Sequence, residues 1–169
     1  KCSSCKFNNK NFLQLVNRLC KKYNSLLILD EMITGFRWHL KGAQYFFDVV
    51  PDLATFGKGM ANGFSIAALT GKKKIMELGS ITKKQERTFL LSTTHGAEMS
   101  SLGAFINTVD FYKKKKVTEH LWKYGTELKE KINSISKDLK IDKYFFVEGP
   151  SICLNYRTLD KNFNDSLLL

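Results

Sequence analysis

From Asn11 to Tyr23 the apolar positions Phe12, Leu15, Val16 and Leu19 recur at helical spacing, and Lys21 and Lys22 close the segment. That pattern predicts an amphipathic helix whose basic end suits the helix dipole. Leu26-Leu27-Ile28-Leu29 is a continuous apolar run stopped by Asp30-Glu31. Such a run predicts a strand buried on both faces, as in a parallel sheet. Residues 34–37 read as loop, 42–50 as helix or loop, and Pro51-Asp52 as a turn. Leu53 to Phe56 and Ile66 to Thr70 predict two further strands, separated by Gly57-Lys58-Gly59 and Asn62-Gly63. A helix is expected near Ile75 to Leu78, and Ser80 to Glu86 is polar enough to lie exposed.

Two long helical patterns follow, from about Met99 to Lys115 and from about Val117 to Leu139. Tyr144 to Glu148 and Ile152 to Tyr156 read as strands around Gly149-Pro150. Helix and buried strand in alternation predict an α/β architecture. The change to helix followed by strands puts a domain boundary near residue 115, giving segments 1–115 and 116–169.

Composition narrows the function classes. A chain that is 43% hydrophobic and 12% aromatic can bury a core, which argues against wholesale disorder. The net charge of +11 raises nucleic-acid binding, yet the arginines are only Arg18, Arg37, Arg87 and Arg157. Readers of bases and phosphates lean on arginine's planar fork, so the lysine excess reads as compositional bias and no nucleic-acid partner is expected. Cys2-Ser-Ser-Cys5 has the spacing of half a zinc site or a redox pair. No second pair of ligands follows it at metal-binding spacing, so no metal is expected and free thiols in a reducing compartment are the reading. No apolar run approaches the about 20 residues of a membrane helix, and a cytoplasmic location is expected.

Three short segments carry candidate chemistry. Asp30 ends a buried strand, and ligands of open α/β sheets bind beyond the carboxyl ends of strands; on position alone a helix cap or solvated turn is the better explanation. Lys58 ends the next strand between two glycines, which let backbone and ligand approach closely. A lysine captures carbonyls as imines, and alone among so many lysines it would be a weak choice. An acid and a lysine on two neighbouring strand ends say more together. A pyridoxal phosphate enzyme needs a Schiff-base lysine and an acid against the pyridinium nitrogen. Ser92-Thr93-Thr94 precedes a helix, where hydroxyls cap the helix or hold a phosphate.

In series these segments resemble class III aminotransferases. Leu29-Asp30-Glu31-Met32-Ile33-Thr34-Gly35-Phe36-Arg37 is similar to that family's DE-x-x-TGFR segment. Pro51-Asp52-Leu53-Ala54-Thr55-Phe56-Gly57-Lys58-Gly59 is similar to its PD-x-x-T-x-GK segment, and Asn62 to Ala68 to the glycine-rich stretch and small-residue strand that follow. The resemblance spans about residues 10 to 115 and leans toward the glutamate-1-semialdehyde aminomutase branch. It implies part of a type I PLP-transferase large domain, a mainly parallel sheet with helices, and the start of a small α+β C-terminal domain. It further implies pyridoxal 5'-phosphate as cofactor and amino-group transfer, or its internal relocation, on a small amino, keto or aldehyde substrate.

The resemblance assigns roles as well. Lys58 would hold the cofactor and move the proton, Asp30 would bind the ring nitrogen, and Met32, where valine is usual, would pack on the ring. Thr93 first, and Thr94 second, would reach the phosphate of a neighbouring subunit's cofactor, which implies a homodimer with shared sites. Two departures stand out. His95-Gly96-Ala97-Glu98 replaces the aminomutase SGNP pattern, which leaves room for aminotransferases of other substrates. The family's phosphate cup and ring-stacking aromatic lie N-terminal to Asp30, and the 29 residues before it hold neither. The chain is therefore expected to be a fragment, catalytically incomplete if it stands alone. His39, His95 and His120 are scattered and read as structural or exposed.

Overall fold

A computed structural model of the chain describes residues 11–80, 96 and 98–160. They fall into two compact units that meet in sequence between Lys116 and Val117.

The first unit opens with helix α1, Asn11–Lys22, as its periodicity predicts. Strand β1 follows over Ile28–Asp30, then the short helix α2, Ala43–Phe46, and strand β2, Leu53–Phe56. Strand β3 spans Ala68–Gly71, and helices α3, Lys73–Met76, and α4, Met99–Lys115, complete the unit. The sheet order is β1-β2-β3. β1 and β2 are parallel, with Asp30 opposite Thr55, while β2 and β3 are antiparallel. Among the described residues the sheet thus has one parallel and one antiparallel pair, as part of an α/β domain. A parallel return usually takes a crossover helix, whereas the connection from β2 to β3, residues 57–67, holds only the single turn Lys58–Met60.

Burial within the unit is uneven. Leu27, Phe36, Val49, Ala54, Met60 and Ala61 are buried, and burial of such side chains contributes about 1.5–3 kcal/mol for the larger ones. The run Leu26 to Leu29 is not buried on both faces: only Leu27 is buried, and Leu26 and Ile28 are each 56% exposed. Phe36 sits at φ 61 and sets its ring edge-on to Phe56 and to Phe105 of α4, with centroids 6.0 and 6.1 Å away.

The sheet edge where β1 and β2 begin is tied by Asp52. Its Oδ2 accepts the Leu27 N–H at 2.7 Å and its Oδ1 accepts Lys72 Nζ at 2.6 Å. These bonds, the lysine's first, hold the Asp52 carboxyl below the usual carboxylate range. A depressed folded-state value stabilises the fold above the unfolded value, and that contribution disappears as pH falls through the folded one. Denaturant titrations of wild type and Asp52→Asn are therefore expected to differ by a constant amount from neutral pH down to about 5, and to converge below about pH 4. A gap that stays constant through the acid range would contradict the tie.

The second unit consists of helix α5, Val117–Asp138, and a hairpin of strands β4, Phe146–Glu148, and β5, Asn155–Arg157. Thr118, Gly125 and Ser136 are the buried positions of α5, so small side chains let the hairpin approach closely. Asn133 acts as a substitute strand neighbour: its Nδ2 donates to Val147 O at 2.8 Å and its Oδ1 accepts Val147 N–H at 2.7 Å. The strand expected over 152–156 is shorter, because Cys153 N–H bonds back to Pro150 O and curls residues 151–153 into a turn.

Candidate active site

The parallel pairing of β1 and β2 brings Asp30 and the Gly57-Lys58-Gly59 turn to the same, carboxyl-terminal sheet edge. Asp30 is exposed there and held from two sides. Its Oδ1 accepts the hydroxyl of Thr55, its register partner, at 3.1 Å, and the N–H of Met32 at 3.0 Å. Its Oδ2 accepts nothing from the described residues, so one carboxylate oxygen in a fixed orientation is left for a donor.

Lys58 lies just beyond β2 with φ 45, in the left-handed region that costs a non-glycine residue about 1–2 kcal/mol. Its backbone carbonyl accepts Asn62 N–H at 3.1 Å, and Met60 N–H bonds Gly57 O at 3.0 Å, which closes the turn. The side chain is exposed, and among the described residues Nζ has no hydrogen-bond or ion-pair partner. Met32 reaches the same place. A Cβ on Gly57 would lie 2.9 Å from Met32 Sδ and nearer still to its terminal carbon, so the thioether lies on the Gly57 backbone beside Lys58.

The structure thus brings Asp30, Met32 and the backbone of Lys58 to one edge. Thr93 and Thr94, like Cys2, Cys5 and His95, lie outside the described residues. His39 accepts Lys41 N–H on Nδ1 at 3.0 Å and stacks on Tyr45 at 4.1 Å, and His120 stacks on Tyr124. The sequence reading missed two residues at this edge. Thr55 orients Asp30, and the register of two parallel strands ending in Asp30 and Phe56 held that signal. Glu31 is buried to 1% exposure directly behind Asp30, and the sequence reading gave it no role of its own.

The donor chemistry fits a pyridine ring carrying an aldehyde. An acceptor-only oxygen suits a ring N–H, and a primary amine without partners suits a carbonyl carbon.

The architecture is that of pyridoxal-phosphate-dependent transaminases. The chain superposes on an ω-transaminase from Sphaerobacter thermophilus with a TM-score of 0.78 at 19% identity, covering 95% of this chain and 36% of that one. It superposes on the FumI protein of Sphingopyxis sp. MTA144, solved in its PLP internal aldimine form, with a TM-score of 0.74 at 21% identity, covering 88% and 34%. The family model for aminotransferase class-III matches residues 5–144, and the chain belongs to that family of pyridoxal-phosphate enzymes. It is 36% identical over 162 residues to the glutamate-1-semialdehyde 2,1-aminomutase of Thermosipho melanesiensis, covering 91% of this chain and 37% of that protein. It is 37% identical over 123 residues to the 3-aminobutyryl-CoA aminotransferase of Cloacimonas acidaminovorans, covering 70% and 28%. The chain therefore spans only 37% and 28% of the length of these two relatives. No helix of the described residues is long and apolar enough to cross a membrane.

Proposed function

We propose that this chain carries the lysine and the ring-nitrogen acid of a pyridoxal-phosphate enzyme that moves amino groups on small amino, keto or aldehyde substrates. The activity we assign is of the glutamate-1-semialdehyde aminomutase kind. The observation that carries this reading is the shared sheet edge, with Thr55 fixing Asp30 and the glycine-flanked turn presenting Lys58. Lys58 Nζ is the amine that would hold the cofactor covalently and, as a free amine, would carry the proton of the 1,3-transfer that starts at the substrate's α-carbon. Asp30 Oδ2 would accept a hydrogen bond from the ring N–H and so favour the charged form of the ring. Met32 packs against the ring. When bound, the cofactor supplies an electron sink for the electrons released at the substrate's α-carbon. Thr93 first, or Thr94, meets the phosphate of a second subunit's cofactor, so the working assembly is a homodimer.

A second reading is favoured by one observation, the third-length coverage of the relatives: the chain holds the covalent half of the site and is catalytically incomplete without further residues. Borohydride reduction in the presence of PLP, followed by peptide mapping, tests the assignment. A phosphopyridoxyl label concentrated on Lys58 is expected, and turnover of an amino donor by the same sample separates the complete enzyme from the incomplete one. A label spread evenly over the exposed lysines, or none, would overturn the assignment of Lys58.

A further inference from the structure

We propose that Glu31 is a positioning residue, whose buried carboxylate pins the 34–44 loop behind β1 and so holds Asp30 and Met32 at the angle the cofactor needs; the inference rests on the cofactor reading above.

Successive residues of a strand face opposite ways. Asp30 is exposed on the site side, and Glu31, next along, is buried. Three donors converge on the Glu31 carboxylate. Ala43 N–H donates to Oε2 and Gln44 N–H to Oε1, each at 2.8 Å, and the Thr34 hydroxyl donates to Oε2 as well. An ionised carboxylate only accepts, and it matches a set consisting entirely of donors. Gly42 makes room for it: at φ 81, a Cβ there would lie 2.5 Å from Glu31 Oε1.

The backbone of Glu31 is fixed at the same time. Its N–H extends the β1–β2 ladder to Thr55 O at 2.9 Å, and its carbonyl accepts Gly35 N–H at 2.8 Å. Residue 31 is thus held by backbone and side chain together, and it stands between the two residues assigned to the ring. Thr55 also belongs to both arrangements, through its carbonyl to Glu31 and its hydroxyl to Asp30. Loss of the pin frees the peptide planes on either side of Asp30 and Met32, and so the direction of Asp30 Oδ2.

Glu31→Gln is the test, because it keeps the shape and puts an NH2 group against N–H donors. Two readouts are taken on the full chain: amide exchange at Ala43 and Gln44, and affinity for free PLP by fluorescence quenching. The exchange of both amides is expected to rise about tenfold or more, PLP binding to weaken by a similar factor, and Leu27 N–H, tied by Asp52 at the other edge, to keep its rate. Thr34→Val removes one of the three bonds and serves if Glu31→Gln does not fold. It is expected to weaken PLP binding several-fold, and Thr34→Ser, which keeps the hydroxyl, to restore it. Faster exchange with PLP affinity unchanged would make Glu31 merely structural and overturn the positioning role. Exchange rates unchanged at Ala43 and Gln44 would remove the pin itself. A wild-type chain that binds no PLP would overturn the cofactor reading, and the role of Glu31 with it, even where the exchange data uphold the pin.

Discussion

Lys58→Gly is expected to abolish borohydride-fixed cofactor while leaving the chain at least as stable as wild type. The two effects have separate origins. The amine is the only group at this position able to bond a carbonyl carbon, so its removal deletes the covalent link entirely. The backbone at residue 58 has φ 45, where glycine avoids the about 1–2 kcal/mol that a side chain incurs. Glycine's freer unfolded chain returns about 0.4–1 kcal/mol of that. The expected net change runs from nothing to a gain of about 1.6 kcal/mol. Lys58→Ala loses the cofactor link equally but keeps the left-handed strain, so the glycine variant should be the more stable of the two. Denaturant midpoints of the three proteins, read beside peptide maps of the reduced samples, decide the matter. A glycine variant clearly less stable than the alanine one would show that the turn is not strained.

Gly125→Ala is expected to destabilise the second unit by about 3 kcal/mol or more. A Cβ there would lie 2.6 Å from the carbonyl carbon of Ser151 and closer still to its oxygen. Backbone cannot swing aside as a flexible side chain does, so α5 or the 149–153 turn must move. That shift also disturbs the 2.7 Å bond between Thr126 Oγ1 and Ser151 Oγ. Set against a typical total of about 5–15 kcal/mol, such a loss is large. Trp122, on α5, reports it by fluorescence in a Trp38→Phe background. Gly103→Ala is the control: it lies in the middle of α4 with no described atom within 4 Å of an added Cβ, and should stabilise by up to about 1 kcal/mol. Equal midpoints for the two variants would refute the close approach.

Much of this was legible before coordinates. Helix α4 begins and ends where the sequence pattern puts it, and α5 ends one residue earlier than expected. Long periodic segments declare themselves because many side chains repeat one message. The short elements do not. Residues 42–50 stayed open between helix and loop because the cap of α2 is not local. Gly42, at the capping position, offers no side chain, and the two N–H groups are satisfied by Glu31 from twelve and thirteen residues upstream. Rules for helix starts look at adjacent residues, and this acceptor lies beyond their reach. The run from Leu26 to Leu29 failed for a different reason. Its apolar character says that it favours cover, but not which neighbouring layer would supply it, and Ile28 remains over half exposed.

Asp30 was read at a strand end and given its role by the family resemblance, while Glu31 was given none; the structure leaves the first acid exposed and buries the second. What pattern cannot say is that the second acid is the more deeply embedded. Asp52 was read as half of a turn and as part of the lysine segment, yet it ties together one end of all three first-unit strands: the Leu27 N–H before β1, its own position before β2, and Lys72 after β3.

The position of β1 at the margin of the sheet bears on how the chain behaves in solution. Among the described residues it has one neighbouring strand, so its far side presents peptide groups that another extended segment could join, flanked by the aliphatic Leu26 and Ile28. The surplus of +11 charges opposes such self-stacking by mutual repulsion. That repulsion reaches only about 8 Å at physiological ionic strength and much farther in dilute buffer. Colloidal stability of this chain is therefore greatest where salt is scarce.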